Sequence, residues 1–83
     1  MTREEILEAA TETVKLLNEE DTHLLAMAEP SLSIEHLEDM IDRMASEDME
    51  IGKMNRWLGW IQAAAVATSS VVDLETCKKI NKG

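Results

Sequence analysis

The chain has 83 residues, enough for one domain with a thin core, since a fold of this size buries only a little over ~60% of the surface its unfolded chain exposes. Ala, Leu, Met, Glu and Lys are common, glycine occurs three times and proline once, a composition that predicts an all-α protein. With 17 acidic and 8 basic residues the net charge is −9, which argues against nonspecific nucleic-acid or anionic-membrane binding, because both need a surplus of Lys and Arg.

That charge is uneven. Residues 1–50 hold 15 acids and 3 bases, a net −12, whereas residues 51–83 hold 2 acids and 5 bases, a net +3. Any anion site is therefore expected in the last third. The single cysteine, Cys77, has no internal disulfide partner, and no charged-then-apolar signal segment opens the sequence, so a cytoplasmic protein is expected. The uncharged run Trp57 to Val72 is 16 residues long and contains Gln62, Thr68, Ser69 and Ser70. A transmembrane helix needs about 20 mostly apolar residues, so the run does not read as one.

Thr2 followed by Glu5 is a capping box, which starts a helix at Arg3. Leu7, Ala10, Val14, Leu17, Asp21, Leu24 and Ala28 then recur at alternating steps of three and four, a coiled-coil-like seam broken only by Asp21. Pro30 ends this first helix, predicted over about 3–29. Ser33 caps a second, with Leu32 and Leu37 placed as a hydrophobic staple. Its seam is Leu37, Met40, Met44, Glu47, Ile51, Met54, Leu58, Ile61, Ala65 and Thr68, which predicts one helix over about 34–68. Gly52 and Gly59 each cost roughly 1 kcal/mol relative to alanine, making a break near 46–52 the alternative. Asp73 caps a short last helix over about 74–81, with Leu74, Cys77 and Ile80 on one face and Lys78, Lys79 and Lys82 toward its end.

Two long helices and one proline suggest an antiparallel hairpin turning near residue 31, with residue n level with residue 62 − n. Glu47 would then meet Lys15, and Asp21 would reach Arg43. Trp60 would lie level with Thr2, so that residues 61–68 would project ~12 Å beyond the first helix, apolar and uncovered. A surface of that kind marks association. Trp57, Gly59, Trp60, Ile61, Ala63, Ala64 and Ala67 are the expected interface of a homo-oligomer, most simply a dimer, assembled as a helical bundle.

At R-W-L-G-W-I-Q, Arg56 to Gln62, followed by V-V-D-L-E, Val71 to Glu75, the chain resembles a group of small tailed-phage proteins. These carry an R-W-L-G-aromatic-I/V-Q-G segment, a few small apolar residues, then an aliphatic-acidic segment that starts a terminal helix. Ala63 stands where that group more often has glycine. The resemblance implies a phage accessory protein acting in the host bacterial cytoplasm by binding a host component, defence-system components included.

Candidate chemistry is sparse. Glu4, Glu5 and Glu8 form an E-E-x-x-E string and Asp39 and Asp42 a D-x-x-D string, similar to the Mg²⁺-binding motif of MazG-type all-α nucleoside triphosphate pyrophosphatases, whose second half is E-x-x-D. In the hairpin the two halves lie too far apart for one metal. His23 and His36 lack a fixed third ligand, and Cys77 has no neighbouring base, which favours a small buried residue. Lys53, Arg56 and Trp60 share one helix face, where cations and an indole could hold a small nucleotide. The favoured expectation is a non-enzymatic protein that uses the acidic face Glu35, Glu38, Asp39 and Asp42 to meet a basic host protein, without cofactor or metal. A nucleotide sponge and a pyrophosphatase are the alternatives.

Overall fold

The computed structural model describes residues 1–19, 34–68 and 72–81. Among these residues the chain forms four helices and no strand: α1 (Arg3–Glu19), α2 (Ile34–Ser46), α3 (Ile51–Thr68) and α4 (Leu74–Asn81). The all-α expectation holds. Asp21, His23, Pro30, the turn near residue 31, the Leu32–Leu37 staple, the Ser33 cap and Lys82 fall on or depend on residues outside the described set.

The capping box forms as the sequence requires. The Thr2 backbone N–H donates to Glu5 Oε1 at 2.8 Å, and the Glu5 N–H donates to Thr2 Oγ1 at 3.2 Å. At the other end of the chain the Asp73 carboxylate accepts from the Thr76 N–H at 2.8 Å and the Thr76 hydroxyl at 2.9 Å, which starts α4.

The single long helix over 34–68 does not form. α2 ends at Ser46, whose hydroxyl donates back to the Asp42 carbonyl at 2.8 Å, and the Glu47 N–H makes the last helical bond to the Arg43 carbonyl at 2.9 Å. α3 begins after a gap over 47–50. The Arg3 guanidinium sits at this gap, donating to the carbonyls of Met44 and Met49, with Asp48 3.8 Å away. Arg3 thus satisfies one carbonyl oxygen in the last turn of α2 and one within the gap.

Those contacts set the directions. α2 runs back along α1, with Ile41 beside Val14 in one groove, until its end reaches Arg3. α3 then runs forward along α1, where the Gln62 amide reaches Thr13 Oγ1 at 3.4 Å. The 62 − n pairing therefore does not hold among the described residues: Gln62 meets Thr13, although the hairpin would have carried it past the start of α1, and Ile41 lines one groove with Val14. Glu47, just past the end of α2, pairs with Arg43 at 2.9 Å, four residues back, instead of with Lys15. One continuous helix of 35 residues would be ~52 Å long, whereas the molecule's longest extent is 33 Å.

Burial explains why breaking wins. Turning back at 47–50 gives up a few helical hydrogen bonds, each worth about 1 kcal/mol net. It packs Met49, Met54, Leu58 and Ile61 into the core, and each large apolar side chain removed from water contributes about 1.5–3 kcal/mol. The seam register changes at the turn as well. Met49 is buried, while Ile51, a seam position in the unbroken pattern, is 45% exposed.

α1 becomes the central helix, packed by α2, α3 and α4. Its buried stripe is accordingly broader than one seam, adding Ile6, Ala9 and Thr13 to Ala10, Val14 and Leu17. On α4, Cys77 is buried and Ile80 half-buried as expected, but Leu74 is 69% exposed, and Val72 takes the buried place before it.

Candidate functional site

The seven residues of R-W-L-G-W-I-Q divide by facing. Leu58, Ile61 and Gln62 turn into the molecule. Trp57 is half-buried against the core, with the Arg43 guanidinium 5.2 Å and the Lys53 ammonium 5.3 Å from its ring centroid. Arg56, Gly59 and Trp60 face outward, Trp60 being 45% exposed. Lys53 therefore stands over Trp57 and not over Trp60, so the fold does not gather Lys53, Arg56 and Trp60 around one indole.

The expected interface divides in the same way. Ile61 and Ala64 are buried inside the chain, because α3 lies along α1 instead of outrunning it. Gly59, Trp60, Ala63 and Ala67 remain exposed on one side of α3. Gly59, Ala63 and Ala67 border a groove of about 510 Å³ between α3 and α4, lined also by Val66, Leu74 and Lys78. A Cβ built on Gly59 meets nothing within 4 Å, so no contact inside the molecule calls for a glycine there.

Beneath this groove runs a polar chain that the sequence reading missed. Thr13 Oγ1 donates to the Ala9 carbonyl at 2.8 Å and accepts from Gln62 Nε2, which also donates to Asn81 Oδ1 at 2.9 Å. Asn81 Nδ2 returns a bond to Gln62 Oε1 at 3.1 Å. The chain links α1, α3 and α4 and satisfies the buried Gln62 amide. The only hint of it in the sequence is a glutamine inside an apolar run.

On the other side of α1 lies a groove of about 390 Å³ shared with α2. Val14 and Ile41 supply its apolar floor, and Glu19 of α1 meets Glu38 and Asp42 of α2 along its rim, with Lys15 among them. Glu35 and Asp39 are exposed on the same helix. Carboxylates from both helices are thus brought to one groove, with one lysine among them. A third groove, of about 800 Å³, lies between α1 and the end of α4, with Glu5, Glu8, Glu12 and Lys79 around Leu7 and Ile80.

The two halves of the carboxylate motif part company. Glu8 lines the α1/α4 groove and Asp42 the α1/α2 groove. Among the described residues no three His, Cys, Asp or Glu side chains come together as a metal site. His36 is exposed on α2.

Titration follows local bonding. The Glu5 carboxyl is held below the usual carboxylate range chiefly by the Thr2 N–H, and the Asp73 carboxyl chiefly by the Thr76 N–H. The Glu47 carboxylate raises Arg43 further. Burial, and secondarily Asp73, pushes the Cys77 thiol up, the reverse of what an activated nucleophile requires. Among the described residues no helix is long and apolar enough to cross a membrane.

No protein-family model, curated protein or solved structure matches the chain.

Proposed function

We propose that this chain is a non-enzymatic binding protein that engages a basic protein partner through the acidic α1/α2 face. The observation that carries the reading is the groove in which Glu19, Glu38 and Asp42 surround Val14 and Ile41. An apolar floor with a carboxylate rim suits an amphipathic segment whose flanks carry Lys or Arg: the floor supplies affinity, and the charges supply steering and register. The phage resemblance at Arg56 to Gln62 makes that partner a protein of the infected bacterium, met in its cytoplasm.

The test is capture from bacterial lysate with the intact chain, followed by titration of the captured protein against wild type and Glu38→Lys/Asp42→Lys. Binding that weakens with added salt and is lost in the double variant supports the proposal. Binding indifferent to both would overturn it. A melting midpoint raised by nucleotides, or phosphate release with Mg²⁺, would point instead to the nucleotide sponge or the pyrophosphatase.

A further inference from the structure

The gap at 47–50 is a break without a breaker, since E-D-M-E holds neither proline nor glycine and Glu and Met are good helix formers. Helical bonding reaches into it from both sides. The Glu47 N–H still bonds the Arg43 carbonyl, and the Glu50 carbonyl already accepts from the Met54 N–H. The 3-4 seam crosses the gap without a change of step, from Leu37, Met40 and Met44 through Glu47 and Ile51 to Met54, Leu58 and Ile61. In the turned-back chain Ile51 is the seam position left 45% exposed.

In an unbroken helix the Met44 carbonyl would bond the Asp48 N–H and the Met49 carbonyl the Lys53 N–H. Here both accept from the Arg3 guanidinium, so one side chain of α1 stands in for the donors that the straight form would supply. The packing of the turned-back part does not depend on the turn. α3 and α4 are held chiefly by α1 and touch α2 little, and the α1 of a second copy offers the same surface.

We infer that 47–50 is a hinge at which two copies exchange their C-terminal halves: α2 and α3 join into one helix, and α3 with α4 packs on α1 of the other copy. The chain itself fixes the occupant, because the contacts of α3 and α4 with α1, the Gln62–Thr13 bond included, re-form between copies. Exchange adds the backbone bonds missing at 47–50 and takes Met49 out of the core, with the Arg3 bond to the Met49 carbonyl opposing it. α1 and α2 of one chain stay together, so the acidic groove persists in both forms. The inference therefore stands or falls separately from the proposed partner.

The full chain refolded from denaturant at high concentration should show twice the 9.3 kDa chain mass by light scattering, and the single mass when refolded dilute. Spin labels at Glu35→Cys and Ala67→Cys, in a Cys77→Ala chain mixed with excess unlabelled chain before refolding, report a distance within one chain. In the dimer it should be about 48 Å, the length of that stretch as one helix. In the monomer it should fall well inside the molecule's longest extent of 33 Å. Ile51 is the first residue of α3, where proline is accepted, whereas inside a continuous helix proline removes a bond and clashes with the preceding turn. Ile51→Pro should therefore keep the monomer's melting midpoint within a few degrees and abolish the dimer, while Arg3→Leu should raise the dimer fraction several-fold at equal concentration. The label distance needs no change at the hinge and decides alone if Ile51→Pro fails to fold. A monomer at every concentration, a dimer whose labels stay within 33 Å of each other, or a dimer that Ile51→Pro leaves intact would overturn the inference.

Discussion

The α1/α2 groove and the α3/α4 groove both have aliphatic floors, yet one is rimmed by Glu19, Glu38 and Asp42 and the other borders a helix with no carboxylate at all. The apolar floors are alike and the charges around them are not. The carboxylates of the first groove are what the proposed basic partner would meet, whereas the second has no carboxylate on α3, and on α4 Glu75 pairs with the groove's own Lys78 at 3.7 Å.

The largest expected effect separates the inner from the outer side of α3. Ile61 is fully buried and Trp60 is its exposed neighbour, so Ile61→Ala should cost about 2–5 kcal/mol in chemical denaturation. Trp60→Ala should stay within about 0.5 kcal/mol. Equal costs would mean that the two sides are not distinct.

Next come the polar links that hold the two halves together. Arg3→Ala strips the Met44 and Met49 carbonyls of their donor, and Gln62→Leu leaves Thr13 and Asn81 without their amide partner. Each should destabilise by about 1–3 kcal/mol. Loss of Arg3 should raise hydrogen exchange chiefly around 47–54, and loss of Gln62 chiefly in α4. Gly59→Ala should stabilise by up to about 1 kcal/mol, through helix propensity alone, since its Cβ would meet nothing within 4 Å.

The smallest effect is on pH. The Glu5 and Asp73 carboxyls sit below their ordinary values because backbone N–H groups of Thr2 and Thr76 bond their charged forms. Their contribution to stability is therefore complete above the unfolded carboxylate range and lost as pH falls through the folded value. The melting midpoint should drop as pH is lowered from about 5 toward about 3, and less steeply in Asp73→Asn, which still caps α4 without titrating.

Local signals were legible where local bonding decides the structure. The Thr2–Glu5 box, the Asp73 cap and the extent of α4 follow from side chains bonding N–H groups two or three residues away. The 3-4 recurrence of Leu37, Met40 and Met44, and of Met54, Leu58, Ile61 and Ala65, marked buried residues correctly on both sides of the break. What the recurrence could not convey is that the two stretches turn back on each other. The chain between them, E-D-M-E, has neither proline nor glycine, and the group that bonds its carbonyls, Arg3, lies more than 40 residues away in sequence.

The candidate site suffered from that one error of direction. With α3 extended beyond α1, Ile61 and Ala64 looked exposed and Trp60 looked like the edge of the fold. With α3 laid along α1, Ile61 and Ala64 are core, and only Gly59, Trp60, Ala63 and Ala67 of that set face outward, all but Trp60 beside α4. The Arg43–Trp57–Lys53 contact was hidden for the same reason, since it spans the break.

By itself, then, the sequence determined helix class, helix starts, the apolar faces and the separation of acidic from basic halves, because these depend on composition and on residues within a turn or two of one another. Tertiary structure alone decided that the second helical stretch does break, within the 46–52 stretch that the sequence offered as the alternative, which way α3 runs, and which acids share a groove. The physical reason is that burying Met54, Leu58 and Ile61 against α1 outweighs the few backbone bonds that an unbroken helix would have kept.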